Sequence, residues 1–226
     1  MTRATTPRRR RVNDPDGLRG RLLDAAAGAF DSRGYSATSM QDVMRAAGAT
    51  GGATYHHFPT KKALGLAVIR ERVAKSVEET WVAPIRSARS TADGVLTVFA
   101  QVIAELEHRR AVAGCPLSNL AVELSLADPD FRLAMNAVFD SWRRSIADRI
   151  RIEQASGGLE DADADELATF AVASYSGAMA LAKASQSAAI FSSCRRCSPS
   201  MARASIRHCS ACCRYSIAFF IDPSER

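Results

Sequence analysis

The sequence predicts an all-α fold, with a small three-helix unit at its N-terminal side and a larger helical body after it. Three observations predict this. The 226 residues include only 13 Gly and 8 Pro, mostly at a few boundaries, which leaves long stretches free of helix breakers. Within those stretches apolar residues recur every three or four positions, the period of one helical face. An apolar content of 47% over this length is enough for a sizeable core.

Taken in order, residues 1–13 hold Arg3 and the run Arg8, Arg9, Arg10, Arg11 with no apolar period, and read as a disordered arm. Asp14-Pro15 pairs an N-cap with a proline at the first helical position. Leu18, Leu22, Ala25, Ala26, Ala29 and Phe30 then form one stripe of a helix ending at Gly34. Thr38 with Gln41 has capping-box spacing before a short helix whose inner face is Met40, Val43, Met44 and Ala47. Gly48 breaks it, Thr50 caps again, and a further short helix runs to about His57. Thr60 caps a fourth helix, carried by Ala63, Leu64, Ala67, Val68, Ile69 and Val73 to about Trp81 and expected to stop at Pro84. Further helices are expected near 92–111, 117–126, 129–154 and 161–188, separated by Gly114-Cys115-Pro116, Asp128-Pro129 and Ser156-Gly157-Gly158. The chain thus divides into an arm (1–13), a three-helix unit (14–62), a helical body (63–188) and a tail (189–226).

Charge is distributed unevenly along this plan. The formal net charge is +6, and residues 1–62 carry 11 Lys and Arg against 5 Asp and Glu, so this quarter holds all of it. Such a block attached to a neutral remainder points to a polyanion bound at one end, because clustered cations gain by displacing counterions from phosphates. No apolar stretch follows the basic start, and the longest uncharged run, Leu167 to Ala182, is 16 residues rich in Ala and Ser. A membrane span needs about 20 properly apolar residues, so a cytoplasmic protein without membrane contact is expected.

Residues 38–61 have the layout of a helix-turn-helix. A helix that enters the major groove needs a second helix crossing behind it and a tight glycine turn to set their angle. Gly51, Gly52 and Ala53 would let the backbone come close to the groove. Thr50, Thr54, Tyr55 and His56 offer hydroxyl and imidazole groups to phosphates and base edges, and Lys61 adds a cation at a helix start. The run from Thr38 to Gly48, followed by Thr50-Gly51-Gly52-Ala53-Thr54-Tyr55-His56-His57-Phe58-Pro59-Thr60-Lys61-Lys62-Ala63-Leu64, resembles the DNA-binding domain of tetracycline-repressor (TetR) type regulators over about residues 18–66. The resemblance implies that Thr38, Tyr55 and Lys61 hold phosphates while Thr50, Gly52, Ala53 and His56 face the groove. Two departures stand out: Gly51 where many members have a basic residue, and Val43-Met44 in place of a common Ile-Ala pair. Phe58 and much of the Tyr55 ring are also expected in the core of the unit.

In the body, 13 basic and 17 acidic groups over 63–187 argue against a second nucleic-acid surface. Phe99, Ile103, Met135, Phe139, Trp142, Phe170, Tyr175 and Met179 fall at inward spacings. The resemblance implies a pocket for a small-molecule effector in such a body, and of these Phe99, Ile103, Phe139, Trp142, Phe170 and Tyr175 are its candidate lining, with plain core packing the competing reading for each. Gly114-Cys115-Pro116-Leu117-Ser118-Asn119-Leu120 is similar to a subgroup of the family. The small-residue helix 166–187 suits close helix approach, and the family pairs its last two long helices into a four-helix bundle, which implies a homodimer on a two-fold symmetric operator. A sequence-specific transcriptional regulator, a repressor released by its effector, is therefore expected, with no cofactor or metal and no enzymatic activity.

Two other readings compete. From residue 188 on, 39 residues contain five of the six Cys, eight Ser and six Arg but no Leu, Val, Gly or Lys, a vocabulary so unlike the rest that a replaced segment is expected. Cys194-x-x-Cys197 and Cys209-x-x-Cys212 have the spacing of zinc ligands, which would make the tail a zinc or redox-sensing module, although no turn-forming glycine accompanies either pair. Glu105-x-x-His108 has the spacing of a di-iron helix motif, but such a site needs a second Glu-x-x-His and two more Glu, and the other histidines lack a Glu three residues earlier.

Overall fold

The computed structural model describes residues 15–109, 111–157, 162–189 and 191. The arm at 1–13 and nearly all of the tail at 189–226, with both Cys pairs, lie outside the described residues. Eight helices and no strand occur among those described: α1 Pro15–Arg33, α2 Met40–Ala47, α3 Gly51–His57, α4 over 61–87, α5 Thr91–His108, α6 Pro116–Leu124, α7 Pro129–Ala155 and α8 Ala164–Ser185. No described helix is long and apolar enough to cross a membrane.

The first three helices close around a small core. Leu22, Leu23, Ala26 and Phe30 of α1 meet Val43 and Ala47 of α2, with Phe58 and Leu64 sealing the base, all buried. Each large apolar side chain removed from water here contributes about 1.5–3 kcal/mol. Gly34, at φ 87°, lets the chain leave α1 in a left-handed turn that a side chain would strain.

α4 departs from the expected helix at its end. It does not stop at Pro84 but continues to Ser87, because two π-helical turns, Ile69–Val73 and Glu78–Val82, interrupt it. In the second turn the Ala83 amide donates back to the Glu78 carbonyl, one residue further than in an α-helix. The widened turn relieves the clash of a proline ring with the carbonyl four residues back and leaves no amide wanting at Pro84. α4 is tied to α1 by a two-pronged pair between Arg19 and Glu71 and by Arg72 on Asp24 at 2.6 Å.

In the body, α7 and α8 lie against each other, and α5 and α6 complete the enclosure. Glu153 of α7 accepts from the Thr91 amide at the start of α5, doing for that helix end what Ser90 does within the chain by accepting from Asp93 N. Arg149 reaches the carbonyls of Ala88 and Arg89 on the same turn. Gln186, in the left-handed region, bridges both backbone groups of Val112 and so fastens the end of α8 to the loop before α6. At the centre stand Trp81, Phe99, Trp142, Tyr175 and Phe191, with ring centroids 4.8–6.5 Å apart. Phe191 is fully buried, although it lies beyond the expected end of the body at 188.

Candidate nucleic-acid interface and effector cavity

The cap of α2 is Ser39, one residue after the expected Thr38. The Ser39 side chain accepts from the Asp42 amide at 3.1 Å, and the Asp42 carboxylate accepts from the Ser39 amide at 3.1 Å and from its hydroxyl at 2.6 Å. These bonds, the hydroxyl first, hold the Asp42 carboxyl below its ordinary value. Thr38 is buried at 1% exposure, and its hydroxyl donates to the Gly34 carbonyl at 2.8 Å. Its side chain therefore braces the end of α1, and in this arrangement it has no hydroxyl to offer a phosphate.

Gly48, in the left-handed region at φ 61°, makes the turn between α2 and α3. Thr50 caps α3 by accepting from Ala53 N. Thr54, expected to face DNA, is instead fully buried and donates to the Thr50 carbonyl at 2.9 Å. Phe58 is buried as expected, with the Arg19 guanidinium 5.4 Å from its ring centre. Thr50, Gly52, Tyr55 and His56 are left on the outer face of α3, with Ala53 half-buried between them; Tyr55, much of whose ring was expected in the core, is 48% exposed. The structure thus brings five of the seven candidate DNA-binding residues onto one outward surface.

Lys61 is placed differently. Its Nζ sits 4.2 Å from the centre of the Tyr35 ring and donates to the Ser36 carbonyl at 3.3 Å. Burial holds its pKa below the ordinary lysine value, with Glu123 pulling the other way. Lys62 is paired with Asp128 and Asp130, each at 2.7 Å. Around these lysines runs a junction that the sequence did not disclose. Glu123 of α6 accepts from the backbone amides of Tyr35 and Ser36 at 2.9 and 2.6 Å, and Phe131 of α7 meets Tyr35 edge-on at 5.0 Å. Burial alone would raise the Glu123 pKa, but the hydrogen bonds from Ser36 and Tyr35 outweigh it and the pKa is lowered.

The candidate pocket residues separate into two groups. Trp142 and Tyr175 line cavities, while Phe99, Ile103 and Phe139 pack against the core behind them. Phe170 is half-buried and takes no part in the aromatic cluster. A cleft of about 460 Å³ lies between α1, α4, α5 and α8, with Asp31, Glu79, Glu105 and Arg109 in its walls. It shares Ser76, Thr80, Pro116 and Tyr175 with an inner cavity of about 40 Å³ against Trp81 and Trp142. One oxygen of Asp31 is buried without a hydrogen-bond partner, and burial raises the pKa of that carboxyl. Burial likewise drives Tyr175 well above the ordinary phenol value, so its hydroxyl keeps its proton. Sequence reasoning used Trp81 only to mark a helix end; its i, i+4 relation to Val77 and Ile85 was the signal for its burial. Glu105 pairs with Arg109 at 2.7 Å and the His108 ring bonds the Ala104 carbonyl, so the di-iron spacing serves ordinary helix-surface contacts.

Comparison with known proteins agrees with this arrangement. Residues 22–68 match the family described as bacterial regulatory proteins, tetR family, and residues 91–197 match the C-terminal domain of LmrA/YxaF-like transcriptional regulators. The second match runs past Phe191 into the Cys-rich segment. The transcriptional regulator AcuR of Cereibacter sphaeroides is 30% identical over 173 residues, covering 72% of this chain and 74% of that protein. The HTH-type transcriptional repressor DhaR of a Mycobacterium species is 29% identical over 170 residues, covering 72% and 80%. A TetR transcriptional regulator from Chloroflexus aurantiacus superposes with a TM-score of 0.75 at 27% identity, over 86% of this chain and 98% of that one. No zinc or redox-sensing tail is supported by these matches. With a helix-turn-helix at its N-terminal side and a regulator body behind it, the chain belongs to the TetR family of transcriptional regulators.

Proposed function

We propose that the chain is a cytoplasmic, non-enzymatic repressor that binds a two-fold symmetric operator as a homodimer and leaves it when a small molecule occupies the body. The observation that carries the DNA-reading part is the outer face of α3, where Thr50, Gly52, Tyr55 and His56 stand exposed while Thr54 and Phe58 are turned inward. A helix of only Gly51–His57 reads too few base pairs alone, which supports a dimer with two half-sites. Thr50, Gly52, Ala53 and His56 face base edges and Tyr55 a phosphate. Lys61 reaches a phosphate only by leaving the Tyr35 ring, and Thr38 contributes by fixing the end of α1. The exposed Leu181 and half-buried Phe170 of α8 lie on the helix assigned to the dimer contact.

The test uses DNA selected from a random pool by the purified protein. Its binding should fall steeply with salt, and Tyr55→Ala and His56→Ala should each weaken it about tenfold with helical content unchanged. Full binding by the double variant would remove α3 from the interface.

A further inference from the structure

Both tryptophans of the chain wall the inner cavity, and Trp142 carries an unused donor. Trp81 and Trp142 are each 1% exposed, and the Trp142 indole N–H has no hydrogen-bond partner. Trp81 stands edge-on to Tyr175 at 4.8 Å and turns its indole N–H to the Tyr175 hydroxyl. A buried donor left unpaired is costly, and such groups are rare in folded proteins unless something else fills the place.

The walls restrict what that is. The residues around the inner cavity are apolar or carry hydroxyl, thiol or indole groups, and none is charged. An anion there would lose its hydration with no cation to replace it, and on the way in it would pass three carboxylates, Asp31, Glu79 and Glu105, against the single guanidinium of Arg109. A cation would find no carboxylate on these walls to pair with. Resting on the effector-responsive reading above, we propose that the cavity receives a small neutral carbonyl compound, whose oxygen accepts from the Trp142 indole and whose apolar part lies along the cleft against Leu106 and Met179.

Because the chain has two tryptophans only, intrinsic fluorescence reports this cavity directly. The probe set is cyclohexanone, its acceptor-free analogue methylenecyclohexane, cyclohexanecarboxylate and cyclohexylammonium. The ketone should change the emission saturably, and the other three at least fivefold more weakly. Trp142→Phe, which keeps a ring but removes the N–H, should weaken the ketone about fivefold, the worth of one buried hydrogen bond, with Trp81 still reporting. Equal or tighter binding of any of the other three compounds overturns the proposal, as does a merely linear quench by the ketone or an unchanged affinity in Trp142→Phe. The same samples are titrated with the selected DNA. Protein that binds DNA but not the ketone defeats the carbonyl assignment alone, whereas protein that binds no DNA defeats the regulator reading itself.

Discussion

Lys61 and Lys62 are adjacent and chemically identical, yet neither is simply a cation waiting at a helix start. One lies on the Tyr35 ring within the DNA-binding unit, and the other, between Asp128 and Asp130, holds that unit to the body. Between them and the loop sits the Glu123 carboxylate. With its pKa below the ordinary 4.5, its contribution to stability is fully present above about pH 4.5 and drains as the pH falls through the lowered value. Glu123→Gln cannot accept from both backbone amides as well, since only one of its two terminal atoms is an acceptor. Thermal unfolding should therefore show a lower Tm for the variant at pH 7, with the gap to the wild type narrowing as the pH is brought toward 3.5. A gap independent of pH would mean that the carboxylate charge is irrelevant to the clamp. None of this was legible from the sequence, because Glu123 is 87 residues from its partner amide and no local spacing encodes such a meeting.

At the scale of elements, much more was legible. α1, α3, α6 and α7 fall where periodicity, caps and prolines place them, since those signals are local and nothing distant opposes them. The errors have tertiary causes. Thr38-x-x-Gln41 and Ser39-x-x-Asp42 are both capping spacings, and the choice falls to Ser39 because Thr38 is taken by the end of α1. Pro84 failed to end α4 because a π-helical turn precedes it, a feature with no composition signal. The tight joint between α4 and α5 has a strict requirement: a Cβ on Gly94 would come within 2.8 Å of the Ile85 Cα, which is backbone and cannot swing aside. Gly94→Ala should cost about 1–3 kcal/mol in denaturant unfolding, despite the higher helix propensity of alanine. A neutral or stabilising result would show that α4 and α5 separate easily.

For the molecule as a whole, the class and the DNA-binding unit were readable from spaced residues, while the interior was readable only in outline. Of the six candidate pocket residues, the cavities take in Trp142 and Tyr175, because helical spacing identifies an inner face without saying which part of it is left unfilled. Phe191 shows the same limit at the C-terminal side. An abrupt change of vocabulary suggested that the fold ends at 188, yet this ring is fully buried against Phe99 and Tyr175. Phe191→Ala should therefore destabilise the chain by about 3–5 kcal/mol, measured by chemical denaturation, and an effect below 1 kcal/mol would place the ring outside the working core.

The junction at Glu123 also bears on how such regulators can be recombined. A chimera cut at residue 62, to give this DNA-binding unit a foreign body, would retain every peptide bond of the helix-turn-helix but lose the carboxylate that satisfies two of its loop amides, the acidic pair on Lys62 and the ring against Tyr35. The transferable module is thus a discontinuous one, and a successful graft would carry Glu123, Asp128, Asp130 and Phe131 along with the first 62 residues.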